Sequence, residues 1–396
     1  MPVQDIFSGN YREAHEKFLR AANEIGAATQ TFSMGFDLDS NPLFIGAAHF
    51  GPPGANKLVI IFSGVHGIEG YAGSAIQSQA FPSLKQLAEA ENIRVLMVHA
   101  INPYGMALGQ RWNADNVDLN RNANSNGLDN TTIDPIYVKL NSIINPPHPC
   151  GFEDFEEKIK TFAQQNNLDQ RRIQSAIMGG QLQNPRGIFY KGLKLSAELA
   201  KIFEYIKEFD HDNLDCVSVL DIHTGIGDKG DSTLGTLFSL LSTDENEIAY
   251  REQLAKTYFC YQDNKYKHII GDMPVLMGTT AAEIRVGGQF SGNLAYAVAR
   301  CFKEAAVSSF VLELGTGPLL HELYTLINAN SVLTFFPEDF KSMEDYQKSP
   351  IMQELREAFY PSDEEWRESV LKRGVNVCES LIKFSGAGSL IQPITR

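Results

Sequence analysis

His66 and Glu69 lie three residues apart in VIIFSGVHGIEGYAG, where an apolar run passes into a turn with glycines at 64, 67, 70 and 73. An imidazole nitrogen and a carboxylate oxygen at that spacing, on a chain free to bend sharply, can point at one spot. They would supply two members of a His₂Glu metal set, the kind that keeps a fourth tetrahedral position open for catalysis. The pair by itself reads equally well as a helix start, with Glu69 favoured by the helix dipole and His66 hydrogen-bonded nearby. A third donor shifts that balance. His223 ends the apolar run of LDIHTGIG, and a second histidine in the corresponding place would complete the set.

Two more stretches carry groups suited to hydrolysis. RWNADNVDLNRN (111–122) packs two arginines, several asparagines and two aspartates into twelve residues, poor material for a core but able to fix a carboxylate or an oxyanion. An Asn/Asp-rich stretch is ordinarily a surface loop; the insert Val-Asp-Leu-Asn instead predicts a short strand. Glu313 ends FVLELGTG with no cation beside it in sequence, so partial desolvation would raise its pKa towards the range useful for a general base. A glutamate capping a turn is the plain alternative, and Glu283 is a rival base in a less strand-like setting.

The elements that must position these groups follow from patterning. Lys57–Phe62, Ile93–His99, Cys216–Ile222 and Ser309–Leu314 are rich in aliphatic and β-branched residues and read as buried strands. Helical patterns at Ala72–Glu91, Leu195–Phe209 and Asn293–Ala306 alternate with them, predicting an α/β sheet covered on both faces. Ligands in such sheets sit beyond the carboxyl ends of the strands, which is where GVHGIEG, INPYG, HTGIGDKG and ELGTG fall. The 396 residues show no repeat and no linker rich enough in Gly, Ser or Pro to mark a boundary. One domain over 1–396 is expected, with an elaboration at about 124–210 and a mainly helical part from about 337, including a helix at Glu364–Phe384.

Bulk properties remove other classes. A net charge of -14 without a clustered basic helix argues against nucleic acid as a partner. No apolar run approaches the ~18 residues of a membrane span, and MPVQDIFSGNYREAHEKF lacks the pattern of an export signal. Five widely spaced cysteines without a CxxC suggest neither a disulfide framework nor a thiolate metal site, and a cytoplasmic location is expected.

In order and spacing, GVHGIEG, RWNADNVDLNRN, DIHTG and ELG resemble the zinc carboxypeptidase (M14) superfamily. SGVHGIEGYAGSAIQ, INPYGMALGQRWNADNVDLNRN, GGQ followed by PRGIFY, and FYPSDEEWRESVLKRG are similar to its DUF2817 branch, from roughly residue 25 to 385. The HxxE, DLNR and DIH signals are shared with aspartoacylase and succinylglutamate desuccinylase-like enzymes. The resemblance implies a three-layer α/β/α fold on a mixed central sheet and one Zn2+ per chain held by His66, Glu69 and His223. It implies Glu313 as general base, Arg111 polarising the scissile carbonyl, Asn120 and Arg121 holding a substrate carboxylate, and Asp118 orienting His66. A departure at Ala123, where the family carries an aromatic residue, alters one pocket wall. The family's mobile tyrosine has five candidates here: Tyr250, Tyr258, Tyr261, Tyr266 and Tyr296.

The expected activity is metal-dependent hydrolysis of an amide bond next to a free carboxylate, on a small peptide or, alternatively, on an N-acyl amino acid. Residues Asn124–Phe209 could narrow the cleft and favour small substrates. A nucleotide-binding oxidoreductase would need Gly225-Ile-Gly227-Asp-Lys-Gly230 to open a helix, and the Ser/Thr/Leu-rich stretch that follows does not read as one. An inactive peptide-binding relative would be expected to have lost a ligand or the base.

Overall fold

KLVIIFS, CVSVLDIHTGI and AVSSFVLELGTG lack the apolar/polar alternation of a half-exposed strand. In the computed structural model, which describes residues 3–123, 134–209, 214–241, 245–259, 268–272 and 292–387, they are neighbouring parallel strands buried on both faces. The strands are β1 (Ala28–Phe36), β2 (Pro42–Phe50), β3 (Lys57–Ser63), β4 (Arg94–His99), β5 (Cys216–Ile226), β6 (Ser232–Thr236), β7 (His268–Asp272) and β8 (Ala306–Gly317). They form one mixed eight-stranded sheet in the order β1-β2-β4-β3-β5-β8-β6-β7. The block β4-β3-β5-β8 is parallel, while β1, β2 and β6 pair antiparallel with neighbours.

Alternate residues of the central strands feed separate cores. Val59 and Ile61 pack with the helices Gly70–Ala90 and Glu364–Gly386, whereas Leu58, Ile60 and Phe62 pack with Ala197–Ile206 and Leu294–Ala299. This is the expected three-layer α/β/α arrangement. From β3 the chain goes to β4 on one side and later returns to β5 on the other, so the strand order reverses between β3 and β5. The crevice beyond their carboxyl ends is the place such a sheet offers a ligand.

Two local expectations are corrected. Val117–Asn120 is not a strand: Asp118 caps a short helix, Leu119–Asn122, its Oδ1 accepting the Asn120 N–H at 3.0 Å. An aspartate that satisfies the helix's free N–H groups outweighs the β preference of one valine. The helix read at Asn293–Ala306 spans only Leu294–Ala299, because Ala306 pairs with Cys216 and opens β8. The stretch after Gly230 is strand β6, so the GxGxxG there opens no helix that could receive a phosphate. Glu283, Tyr261 and Tyr266 lie outside the described residues.

The turn after β3 is held by backbone contact. The N–H groups of Gly67 and Ile68 donate to the carbonyls of Arg111 and Gln110 at 3.1 and 3.0 Å. A Cβ on Gly67 would lie 2.0 Å from the Gly105 carbonyl carbon and 2.2 Å from the Met106 nitrogen, neither of which can swing aside. Gly67→Ala is therefore expected to destabilise the protein by about 1–3 kcal/mol or more, whereas Gly54→Ala, where a Cβ meets nothing within 4 Å, should be near neutral. Urea midpoints of the two variants check this, and equal midpoints would contradict the close packing of the turn.

Candidate functional site

β3, β5 and β8 are parallel neighbours, with Ser63 at the end of β3 paired to Ile222 just before His223. Residues two apart on a strand share a face, so Asp221 and His223 of β5 point the same way, and Glu313 of β8 stands directly across from His223. His66 and Glu69 follow β3 in the turn. Glu69 occupies the N-cap position of Gly70–Ala90 in a helical conformation but makes no side-chain capping bond. Its carboxylate is turned to the histidines instead, which decides against the plain helix-start reading.

His66 Nδ1 lies 2.8 Å from Glu69 Oε1, His223 Nδ1 lies 3.0 Å from Glu69 Oε2, and the two Nδ1 atoms are 3.2 Å apart. The far nitrogens face carboxylates: His66 Nε2 is 3.3 Å from Asp118 Oδ1, and His223 Nε2 is 2.9 Å from Asp221 Oδ2. Carboxylates on the Nε2 side favour the tautomers that carry the proton there. Both Nδ1 lone pairs then face each other and a carboxylate in a buried site, an arrangement of acceptors that requires a positive charge among them. The spacing fits: two donors ~2.1 Å from one tetrahedral ion stand ~3.4 Å apart. Among the described residues, His66, Glu69 and His223 form the group able to hold a metal ion.

The electrostatics repeat this demand. Burial pushes the Glu69 carboxyl up, but the two imidazoles outweigh it and hold the group well below its ordinary range. Burial lowers the His223 pKa, yet Asp221 and Glu69 outweigh that and raise it. Burial also pushes Glu313 up to about 8, with Glu69 and Asp221 adding to the shift while His223 and Arg111 oppose it.

The remaining residues singled out from sequence gather here. Arg111 donates from Nε to Asp118 Oδ2 at 3.0 Å and from Nη1 to Glu69 Oε1 at 3.2 Å, so it steadies the Glu69 carboxylate as well as lining the cavity. Asn120 Oδ1 accepts the Leu294 N–H at 2.9 Å, and its Nδ2 lies 3.5 Å from His223 Nε2. Arg121 donates to the carbonyls of Met178 and Asn120 at 2.7 and 3.0 Å, and its guanidinium stacks over Phe189. No carboxylate pairs with Arg121 among the described residues, which leaves a guanidinium of the cavity wall short of an anion. Gln174, Met178 and Phe189 bring part of the 134–209 segment into the same wall. Of the candidate tyrosines, Tyr250, Tyr258 and Tyr296 do not line the cavity.

Two residues escaped the sequence reading. Asp221 had a usable signal, because Asp-x-His on a strand places both side chains on one face. Glu322 had none: it reaches the cavity only because helix Leu319–Phe335 packs beside β5. Burial pushes Glu322 up to about 8, against an ordinary 4.5. The folded state thus holds the proton more tightly than the unfolded one, and Glu322's contribution to stability is present below 4.5 and lost as pH rises through about 8. Glu322→Gln should accordingly gain thermal stability relative to the parent between pH 5 and 8, by ~2 °C or more. Calorimetric melts across that range check this, and a constant difference would contradict it.

The comparisons agree with this architecture. No curated protein matches the chain in sequence at a significant level. Among solved structures, bovine thrombin-activatable fibrinolysis inhibitor in complex with tick carboxypeptidase inhibitor is 10% identical, with a TM-score of 0.50 over 96% of this chain and 97% of that one. A metallo-carboxypeptidase from Burkholderia cenocepacia is 14% identical with a TM-score of 0.48, covering 94% and 68%. Carboxypeptidase A from Helicoverpa armigera is 15% identical with a TM-score of 0.46, covering 86% and 74%. At these identities the likeness is one of fold alone. The family model described as "Protein of unknown function (DUF2817)" matches residues 7–373, and this chain belongs to the DUF2817 family.

Proposed function

We propose that the chain is a zinc-dependent hydrolase that cleaves an amide bond next to a free carboxylate, in the manner of a carboxypeptidase. The observation that carries the reading is the convergence of two imidazole Nδ1 atoms and one carboxylate, with Glu313 in register beside His223 on the adjoining strand. His66, Glu69 and His223 would hold one Zn2+, which supplies Lewis-acid polarisation of a carbonyl and a more acidic water at its open position. Asp118 and Asp221 keep both Nδ1 atoms free by holding the protons on Nε2.

Glu313 takes the proton from the attacking water and passes it to the leaving nitrogen. Burial suits it to both tasks, since a carboxyl group poised near neutrality accepts and returns a proton readily. Arg111 stands beside the ligand set with a charge available to a developing oxyanion, where one lost donor typically costs ~3 kcal/mol. Asn120 and Arg121 take the substrate carboxylate, which would pair with a guanidinium that no carboxylate of the described residues holds. N-acyl-amino-acid deacylation would use the same groups. The wall supplied by Gln174, Met178 and Phe189 supports small substrates for either reaction. A peptide-binding relative without activity is disfavoured because the sequence retains His66, Glu69, His223, Glu313, Arg111 and Arg121.

Metal analysis of the purified protein should find about one zinc per chain, lost in His66→Ala, while Asp221→Asn should weaken zinc affinity by ~10- to 100-fold. Chelation should abolish cleavage and zinc should restore it; a metal-free active enzyme would overturn the mechanism. Glu313→Gln should retain zinc but lose ~100-fold or more in kcat. Arg121→Met should raise KM for substrates with a free carboxylate and leave their C-terminal amides little changed. If Arg121→Met affected both equally, Arg121 would not be the carboxylate anchor.

A further inference from the structure

One acidic side chain of the cavity has no part in the hydrolysis described above. Glu322, in the first turn of Leu319–Phe335, is 3% exposed, and lines the cavity together with the apolar residues Leu319, Leu323 and Phe359. The hydrogen bond to its carboxyl among the described residues comes from Thr316, whose Oγ1 donates to Oε1 at 3.0 Å. Gly225 passes close to the other oxygen at a φ of 131°, and a Cβ there would stand 3.3 Å from Oε2 and 3.2 Å from the Phe359 ring. A side chain at 225 would crowd Oε2, and the glycine leaves that oxygen uncovered on this side. The carboxyl thus has one hydroxyl donor and no cation within hydrogen-bond reach among the described residues, and burial pushes its pKa up to about 8.

Its place relative to Arg121 gives this direction. Arg121 belongs to a wall made with Met178 and Phe189, while Glu322 belongs to one made with Thr316, Gly225 and Phe359. His223 joins the two: Asn120 Nδ2 lies 3.5 Å from its Nε2, and Gly225 follows it by two residues. The cavity thus offers a cation on one wall, an acid on another, and the metal-ligand set as a shared neighbour. We propose that Glu322 is a specificity residue for an ammonium group on the acyl side of the scissile bond, so that the substrates are short peptides with a free α-amino group, di- and tripeptides rather than N-acylated amino acids. This rests on the hydrolase reading above. A substrate ammonium would take up Glu322's free oxygen, driving off the carboxyl proton, whereas an N-acyl group brings no charge and leaves the acid unpaired.

The test compares the dipeptide Leu-Ala with N-acetyl-Leu-Ala, which present the same scissile bond, on the zinc-loaded protein. Leu-Ala should be preferred by about 30-fold or more in kcat/KM, mostly through KM. Glu322→Gln should remove most of that preference, and Glu322→Asp, which keeps the charge, should retain part of it. Titration calorimetry in buffers of different ionisation enthalpy supplies a readout independent of turnover: Leu-Ala binding should release a proton from the parent and not from Glu322→Gln. Zinc-dependent cleavage that treats both compounds alike, or favours the N-acetyl form, overturns the proposal while leaving the hydrolase reading intact. If neither compound is cleaved, the hydrolase reading fails and calorimetry decides this one. Tighter binding of Leu-Ala with Glu322-dependent proton release upholds it, and equal binding overturns it.

Discussion

Two imidazole nitrogens and a carboxylate that would repel one another are held around one point at the wall of a cavity, and everything nearby is arranged so that they stay there. The strands supply the rigidity: β3, β5 and β8 are hydrogen-bonded neighbours, so His223 and Glu313 inherit their relative positions from a backbone ladder, and His66 is held beside them by the turn that follows β3. The carboxylates of Asp118 and Asp221 fix the imidazoles from behind, and Arg111 ties Asp118 to Glu69. Such preorganisation is built before any substrate arrives, which is why it belongs to the sheet and its capping turns rather than to a mobile loop.

Distant segments complete the cavity. The wall that carries Arg121 is packed against Met178 and Phe189 from the 134–209 segment, and Phe359 from the C-terminal helices contributes another part of the lining. Thr224 Oγ1 donates to the Phe359 carbonyl at 2.6 Å and Trp366 Nε1 donates to the Gly315 carbonyl at 2.8 Å, clamping the ends of β5 and β8. A change in either segment would therefore reshape the pocket without touching the ligand set. The charge placed on each wall can thus be altered while the strand ends stay fixed.

Reading the chain alone recovered the parts whose physics is local. Fully apolar runs bounded by glycine gave the central strands, although β5 and β8 continue past the residues expected because their polar ends, HTGI and GTG, still pair in the sheet. β1 was invisible for a physical reason: ATQTFSMGF is an edge strand with almost every residue exposed, and it carries no apolar pattern to detect. β6 and β7 are five residues each and owe their state to pairing with β8 and with each other. The VDLN insert misled because a single capping aspartate outweighs the propensity of its neighbours.

The sequence by itself brought forward His66, Glu69, His223, Glu313 and the arginine-rich segment as candidates, because the chemistry of a side chain and the end of an apolar run are written locally. Only the tertiary structure decided that Glu69 faces two imidazoles rather than capping its helix, that Asp221 backs His223, and that Glu322 stands at the cavity wall. Each of these depends on which residues, far apart in the chain, the sheet order and the packed helices bring within a hydrogen bond of one another, and residue spacing carries no record of that distance.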